Sequence, residues 1–533
     1  MNGKIKKAFV FILVTVIAVS VFGCTSRPAE KEALQNTKKP GGETALTSGP
    51  ARTPENTEAP SPGSASPENT ETPSPGSASP DNSDPPGSDY YVPDVEGRIR
   101  LNYYNSASSA EASSINDWVA AFKEKYPDCD VEIELSSLDK SKVQAQIASG
   151  TVGDVFFLRA KDVYDYAVAQ KILMPLEYYA EVFGLDLSNI VSSVYEIGNA
   201  EGHLYMVARD YDRVALMYNK TAVNAAGLTD PVSLDIGGEW TWEMFRAYCS
   251  ILTKDTDGDG MIDQLGGNMR FGYAPVYIPF LEGYGGTWYD TVNKKVSFIS
   301  SDKDGISPVF AGVREMVDTV RSGTVRYEPV IGVENGDMPS AIKDTPELNS
   351  YYDFDPAADI VFRDAQFSSF SAFGNAYDSA NVEWNCVSFP ALPVHKVGTD
   401  ASGFAVFNKT TNPDAAAALC LSLYTEDGQR AYVSESGSVP SIRTLIDDTF
   451  WKVPFQDSVH NTKEGIYYDA WISYPESDTC AGAACVLPPE IAFIVENAMQ
   501  NVVPNAINGI WSVADTLSRL ETEANEAWKT LAG

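Results

Sequence analysis

Hydrophobic and polar residues follow two alternating periodicities from about residue 97 onward. The segment RIRLNYYN (Arg98–Asn105) alternates every second residue, as a half-buried strand does. The next segment, SSINDWVAAFKEKYP, places an isoleucine, a tryptophan, a valine and a phenylalanine on one helical face and stops at Pro127. DVEIELSS and GDVFFLRA indicate further strands, with the short helical pattern KSKVQAQIASG between them. This alternation predicts a mostly parallel α/β sheet covered by helices.

Binding residues are expected where these strands end, because ligands of such sheets bind at the carboxyl ends of the strands. Tyr104 and Asn105 end the first strand, and Arg159 ends the third. We therefore expect Tyr104, Asn105 and Arg159 to lie near a binding site.

The N-terminal hydrophobic segment has a different pattern. Three lysines precede a run of sixteen mostly apolar residues, Ala8–Gly23, which is short for a bilayer span and typical of a signal peptide. Its ending, VFGC, resembles the lipobox of bacterial lipoproteins. The resemblance implies that residues 1–24 form a lipoprotein signal peptide and that Cys24 receives acyl chains such as palmitate. The alternative is an ordinary signal anchor in which Cys24 has no role.

Residues 25–95 are rich in proline, serine, glycine and threonine. They contain a near-repeat, SPGSASPENTETP followed by SPGSASPDNSDPP, and scarcely any large apolar residue. Such a composition buries too little surface to offset the entropy of ordering, so we expect a disordered linker. A coil of about 70 residues reaches roughly 45–50 Å, enough to cross a cell-wall layer. This favours the extracellular face of a Gram-positive cell membrane.

The remainder, roughly 440 residues, exceeds what one hydrophobic core supports, so two lobes are expected. The net charge of −34 argues against nucleic acid as a partner, because phosphate binding needs a basic surface. Of seven cysteines, Cys480 and Cys485 are close enough for a small disulfide loop, and two unpaired thiols are the alternative. The three histidines lie far apart, and no spacing indicates a zinc site.

The segment KDTDGDGMIDQLG (Lys254–Gly266) carries alternating carboxylates around a glycine-containing turn. Oxygen ligands at such spacing can surround one calcium ion, as in the first nine positions of an EF-hand loop. The loop has Gly266 where an EF-hand has its bidentate glutamate, so that match is incomplete. A solvated acidic turn is the alternative to a structural calcium site. The candidate ligands are Asp255, Asp257, Asp259, Met261 (through its carbonyl) and Asp263.

Five motifs in a fixed order carry a resemblance to a known family: YNK, AGL…P…WTWEMF, NKTTNPDAAAAL, EDGQ and a G-x-V-P turn. Together they resemble the extracellular solute-binding proteins of carbohydrate ABC importers, which include the maltose-binding proteins. The resemblance implies the type II periplasmic-binding-protein fold, an α/β fold of two discontinuous lobes joined by a hinge, with ligand in the cleft. The first lobe would hold residues 96–210 and 403–450, and the second would hold 211–402 and 451–533.

The same resemblance directs attention to ARDYDRV. Asp212 matches an acidic residue that binds sugar in the maltose-binding relatives, and Asp210, Tyr211 and Arg213 stand beside it. The alternative is a charged hinge in which aspartate and arginine pair with each other.

Aromatic side chains can cover the C–H faces of a sugar, so large aromatics in loop-like settings are further candidates. Packing in a core is the alternative for each of them. Where maltose-binding relatives place a stacking aromatic and an acid, this chain has Leu158 and Lys161, which points to a glycan other than maltodextrin. The aromatic candidates are Tyr284, Trp288, Trp384, Phe404 and Trp471.

The sequence therefore predicts a lipid-anchored receptor, monomeric and without catalytic activity or catalytic cofactor. It would capture an oligosaccharide by lobe closure and deliver it to the permease subunits of an ABC importer. The alternatives are a surface-anchored glycan hydrolase or lyase, which would use a pair of carboxylates, and a glycan-binding adhesin. A receptor for peptides or metals is a further alternative within the receptor class. The chain has no G-x-S-x-G or metalloprotease signature.

Overall fold

The computed structural model describes residues 91–104, 109–135, 140–299, 306–328, 354–436, 438–455 and 465–532. The signal-peptide segment with Cys24, the linker up to residue 90 and Asn105 lie outside the described residues. Within the described part, no helix is both long enough and apolar enough to cross a membrane.

Strands and helices alternate along the chain. In chain order the strands are β1 (Gly97–Tyr103), β2 (Cys129–Leu135), β3 (Val155–Arg159), β4 (Asn199–Ala200), β5 (His203–Leu204), β6 (Val207–Ala208), β7 (Asp212–Asn219), β8 (Leu265–Met269), β9 (Tyr289–Asp290), β10 (Lys295–Val296), β11 (Val325–Tyr327), β12 (Ile360–Gln366), β13 (Trp384–Ser388), β14 (Thr399–Asp400) and β15 (Ser402–Val406). The helices are α1 (Ser109–Lys125), α2 (Lys140–Ser149), α3 (Ala160–Tyr164), α4 (Glu177–Val182), α5 (Ser192–Ile197), α6 (Lys220–Ala225), α7 (Pro231–Ile236), α8 (Trp242–Leu252), α9 (Ala274–Glu282), α10 (Pro308–Arg321), α11 (Phe370–Ser379), α12 (Pro413–Ser422), α13 (Glu426–Ser436), α14 (Arg443–Ile446), α15 (Pro489–Ile507) and α16 (Val513–Ala532).

Two mixed sheets organise these elements. The first has five strands in the order β2-β1-β3-β15-β6, and the second has the order β11-β8-β12-β7-β13, with β14 paired to the start of β7. In the first sheet β15 runs antiparallel to both of its neighbours, and in the second β7 does. The other strands on each path share one direction, as the alternating pattern predicted.

The chain passes between the two sheets at two adjacent points. β6 belongs to the first sheet and β7 to the second, so the first passage lies between Ala208 and Asp212. The return passage lies between Asp400, in β14, and Ser402, in β15. β14 pairs with β7, with Asp400 opposite Asp212. The two passages therefore run side by side, and we call residues 209–213 and 399–402 the paired passages.

Buried hydrophobic residues form two cores: the first joins the first sheet to residues of β7, β12 and β13, and the second packs against other residues of the second sheet. Trp118 of α1 packs on Phe404 of β15 in the first core, with ring centroids 4.8 Å apart. Trp242 of α8 packs on Phe280 of α9 in the second core, also at 4.8 Å. Local sequence explains where α8 begins, because the Thr241 side chain accepts a hydrogen bond from the Met244 N–H and caps this helix.

The segment after α14 packs on both cores. Trp471 and Ala481 belong to the first core, whereas Ala483 belongs to the second. A single 3-10 turn, Ala483–Cys485, packs against α3 beside the first sheet and against α15 beside the second. The lobe boundaries given above stay a prediction.

Candidate functional site

The paired passages bring carboxylates from distant parts of the chain together. Asp212 is the first residue of β7, and its Oδ1 accepts a hydrogen bond of 3.0 Å from the Phe367 N–H. Its Oδ2 accepts from Gln366 Nε2 at 3.1 Å and from Ser368 Oγ at 3.2 Å. Asp212 is thus held by neutral donors from the end of β12 and the turn after it.

Asp400 faces Asp212 across the β7–β14 pair. Its Oδ2 accepts a hydrogen bond of 3.0 Å from the Tyr273 hydroxyl, and its Oδ1 accepts one of 2.8 Å from the Ala401 N–H. Tyr273 stands immediately before α9. Two carboxylates directly opposite one another repel, so this pairing is unfavourable unless something offsets it.

The electrostatics of the two carboxyls reflect this arrangement. Burial raises the pKa of Asp400 from 3.8 to about 6, with a smaller rise from Asp210 that is opposed by Tyr273, the Ala401 N–H and Arg159. Burial also raises the pKa of Asp212 well above its ordinary value, and the charges of Asp210 and Asp400 add to the rise. None of the ion pairs among the described residues includes Asp212 or Asp400. A ligand that donates hydrogen bonds would relieve this local excess of negative charge.

Asp210 has a different environment. It is buried and forms an ion pair of 3.2 Å with Arg209, and its Oδ1 accepts from the Ser402 N–H at 3.5 Å. Arg209 also donates to the hydroxyls of Tyr103 and Tyr432 and pairs with Glu111. Asp210 is therefore tied to a network on the first sheet, although burial still raises its pKa.

Tyr211 and Arg213 both contact the carboxylate of Asp478. Arg213 is 1% exposed and forms an ion pair of 2.7 Å with Asp478. The hydroxyls of Tyr211 and Ser193 each donate to Asp478 Oδ2 at 2.6 Å. Asp478 thus holds Tyr211, Ser193 and Arg213 together, which is the arrangement expected of a structural hinge, although Arg213 Nε and Asp478 Oδ1 meet as an ion pair without a directed hydrogen bond. The aspartate that pairs with Arg213 is Asp478, far away in the sequence.

Arg159 ends β3 and lies opposite Ser402 in the β3–β15 pair. It is partly exposed, and its positive charge lowers the pKa of Asp400. Tyr104 is 7% exposed and accepts a hydrogen bond of 2.7 Å from Asn102 Nδ2. Arg159 thus belongs with the paired passages, whereas Tyr104 packs in the first core.

Four of the aromatic candidates are enclosed by protein. Trp288 donates to Glu282 from the second core, and Trp384 donates to Asp378 beside Phe370. Phe404 lies in the first core between Trp118 and Phe157, and Trp471 packs on Phe367. Their exposed fractions are 0–3%. Tyr284 is partly exposed, but it lines a cavity formed by elements of the second core.

Three residues of this site are absent from the sequence-based candidates: Asp400, Tyr273 and Gln366. Asp400 lies only three positions before Gly403, where the return passage is expected. Tyr273 and Gln366 carry no local signal, because they meet Asp212 and Asp400 only through the pairing of strands far apart in the chain.

The acidic loop after α8 brings three carboxylates together. Asp255, Asp257 and Asp263 each offer an oxygen, and these oxygens lie within 4.8 Å of one another. Gly258 and Gly260 adopt positive φ values of 79° and 90°, which lets the loop curl around them. Asp259 lies outside this group, and its Oδ1 accepts from the Met261 N–H at 2.8 Å. Three oxygen donors of this kind fit a hard cation such as calcium.

The geometry agrees with a defined class of protein: two α/β lobes with polar side chains grouped where the chain passes between them. Residues 106–430 match the model of the family described as bacterial extracellular solute-binding protein. The chain belongs to this family, so the resemblance seen in its sequence is confirmed.

Solved structures share the fold. The sugar-binding protein MalE from Xanthomonas citri is 16% identical, with a TM-score of 0.61, covering 82% of this chain and 98% of that one. The ABC substrate-binding protein Lmo0181 from Listeria monocytogenes, in complex with cycloalternan, is 16% identical, with a TM-score of 0.59 and coverages of 81% and 99%. UgpB from Mycobacterium tuberculosis, in complex with glycerophosphocholine, is 14% identical, with a TM-score of 0.59 and coverages of 82% and 100%. The predicted type II periplasmic-binding-protein fold is confirmed.

No curated protein sequence matches this chain.

Proposed function

We propose that this protein captures an oligosaccharide at the paired passages, by closure of its two lobes, and delivers it intact to an ABC importer. The observation that carries the proposal is the pairing of Asp212 with Asp400, two carboxylates that lie opposite one another without an ion-pair partner among the described residues. Sugar hydroxyls are neutral donors that carboxylates bind well, and enclosure between lobes strengthens such hydrogen bonds. Membership in the solute-binding family and the sugar-binding proteins among the structural relatives support the same conclusion.

Within this proposal the binding residues have distinct roles. Asp212 and Asp400 accept hydrogen bonds from hydroxyls, Arg159 donates them, and the Tyr273 ring contributes a flat surface for a C–H face. Asp210 contributes through its charge and through the position of Ser402. The enclosed aromatics Trp288, Trp384, Phe404 and Trp471 are left out of the proposed site, together with Tyr104, because their surfaces are packed against other side chains.

The proposal extends to the cell surface. It includes a lipid anchor at Cys24, a disordered linker over residues 25–95 and a location on the extracellular face of a Gram-positive membrane. It also includes action as a monomer and the permease subunits of the importer as partners. The support is the sequence pattern of these segments and the export that the family implies.

We also propose that the loop after α8 holds calcium. Asp255, Asp257 and Asp263 would supply the carboxylate oxygens, while Asp259 and the Met261 carbonyl are nearby donors. Bound calcium would neutralise exposed carboxylates that otherwise repel one another, so its role is to stabilise the loop.

A glycan-active enzyme remains the second candidate because of one observation. Asp400, with its pKa raised to about 6, stands opposite Asp212, whose pKa is also raised, and a pair of carboxyls can perform acid–base chemistry on glycosidic bonds. A receptor leaves the sugar intact, whereas a glycan-active enzyme cleaves it.

Thermal shift and titration calorimetry over a panel of neutral oligosaccharides test the proposal. A ligand that binds only the native state raises the apparent stability, and mass spectrometry of the recovered sugar tells whether it is intact. We expect intact sugar and a tenfold or greater loss of affinity in D212N and D400N, because each change removes a charged acceptor. D117N, at an exposed position on α1, serves as the matched control and should bind normally. Cleaved sugar, or equal affinity in all three variants, would contradict the proposal.

A further inference from the structure

A cavity of about 850 Å³ lies beside the second core and shares no residue with the paired passages. Its lining comes from the start of α8, from α10 and from the loops that follow α9, α10 and β13. Tyr273 of the proposed sugar site precedes α9, and Tyr284 of this cavity follows it. Nine helical residues separate the two ends by about 14 Å. The cavity is therefore a separate feature of the second lobe.

An ion pair at the cavity wall has unused hydrogen-bonding capacity. Arg246 donates to Glu315 Oε1 at 2.6 Å, and Trp242 Nε1 donates to the same oxygen at 3.1 Å. Among the described residues, no hydrogen bond uses Glu315 Oε2 or the remaining N–H groups of Arg246. The side chains are 37% and 20% exposed, so these groups can reach a bound molecule.

Tyr284 supplies an aromatic surface and a further donor. Burial raises the pKa of Tyr284 to about 12, with a smaller rise from the Glu315 carboxylate that Arg246 opposes. The hydroxyl therefore stays neutral and keeps its proton at physiological pH. No hydrogen bond within the described part of the chain engages it.

The charged side chains that line the cavity indicate which class of ligand it favours. Arg246 and Glu315 neutralise each other, and the other charged lining residue, Glu243, is exposed at the rim, where water and salt screen it. The wall therefore has a formal charge of −1, carried by the screened Glu243, and offers no excess positive charge to an anionic ligand. It offers the guanidinium N–H groups of Arg246, a carboxylate oxygen of Glu315, and the hydroxyl and ring face of Tyr284. Together these groups match a molecule with many hydroxyls and an apolar C–H face.

We propose that this cavity is a second binding site, independent of the cleft, for a neutral mono- or disaccharide. Its volume falls in the range of small-molecule sites, roughly 300–1,000 Å³. Arg246 and Glu315 hydrogen-bond the hydroxyls of the sugar, and the Tyr284 ring covers one face of it. A second site on the same lobe would hold a glycan that is longer than the cleft accommodates, or retain a second sugar molecule.

The test titrates maltose, cellobiose and N,N′-diacetylchitobiose into the full chain, with calorimetry and saturation-transfer NMR as readouts. S250W fills the cavity from an exposed position on α8, and Y284A removes the ring. S518W, at an exposed serine on α16 outside the cavity, is the matched control. D212N weakens the cleft site, and S250W, Y284A and S518W are each combined with D212N, so failure of that site and failure of this one are distinguishable.

We expect at least one of these disaccharides to bind D212N and D212N/S518W, and to bind D212N/S250W and D212N/Y284A at least tenfold more weakly. Circular dichroism checks that each variant is folded, and Y284A decides the matter if S250W does not fold. The inference is overturned if no probe binds D212N, or if neither S250W nor Y284A weakens the binding of any probe in the D212N background.

Discussion

Asp400 shows how one residue couples the site to pH. Its pKa is raised from 3.8 to about 6 by burial, so between those values the native protein binds a proton that the unfolded chain does not. The free energy of unfolding therefore falls as the pH rises through this window, and the contribution is lost above about pH 6. His395, whose pKa burial lowers, acts in the opposite direction, so the effect of Asp400 is isolated only by comparison with a variant.

We expect the wild-type protein to gain about 1 kcal/mol more stability than D400N between about pH 7.5 and about pH 5. Urea unfolding at the two pH values, without sugar and with excess calcium, measures the difference. D117N controls for the removal of a charge at an exposed position. An identical pH dependence in wild type and D400N would show that the Asp400 carboxyl does not hold its proton in the native state.

The Arg213–Asp478 pair makes a second residue-scale prediction. Both side chains are almost fully enclosed, at 1% and 3% exposure, and Tyr211 and Ser193 donate to the same carboxylate. D478A leaves a buried guanidinium without a counter-ion, which costs about 3–5 kcal/mol. Denaturant unfolding measures the loss. The matched control is E132A, which breaks the exposed Arg98–Glu132 pair and should change stability by less than about 1 kcal/mol. Similar losses in the two variants would mean that burial of the Asp478 pair is unimportant.

At the scale of elements, the loop after α8 carries the prediction for calcium. If the three grouped carboxylates bind it, calcium at about a hundred times its dissociation constant adds about 2.7 kcal/mol to the stability. We expect calcium to raise the melting temperature of the wild type and of D117N, and to leave a D255N/D257N double variant unchanged. Differential scanning calorimetry with calcium and with a chelator measures this rise in melting temperature. An equal rise in all three proteins would place the ion elsewhere.

The elements also show what a sequence pattern can predict. The helical pattern after the first strand corresponds to α1, and WTWEMF corresponds to the start of α8, because helix periodicity and a threonine cap are local properties. Asp212 was found through a motif close to it in the sequence. Tyr273 and Gln366 were not, since they approach Asp212 and Asp400 only after distant strands pair. Whether a tryptophan lines a cleft or fills a core depends on the same long-range packing. The residues next to Trp288 and Trp471 in the sequence therefore do not predict which of the two places each side chain takes.

At the scale of the whole molecule, enclosed carboxylates differ in whether an arginine pairs with them. The chain carries a net charge of −34, and three of its enclosed carboxylates form ion pairs with arginine: Asp210 with Arg209, Asp364 with Arg270 and Asp478 with Arg213. Asp212 and Asp400 differ from these because they form no ion pair with a described residue. The paired passages therefore bring two carboxyls without an ion-pair partner face to face, an arrangement visible only once both passages are in place.

The order of strands along the chain has a consequence for the evolution of the protein. The first sheet takes strands from residues 97–208 and again from 402–406, and the second takes its strands from between these two stretches. No single break in the polypeptide can yield a fragment that holds one complete sheet and nothing of the other. A recombination event with one crossover therefore cannot graft one half onto a new partner. Descendants of this gene must inherit both sheets together or exchange the strands of the inner sheet through two simultaneous junctions.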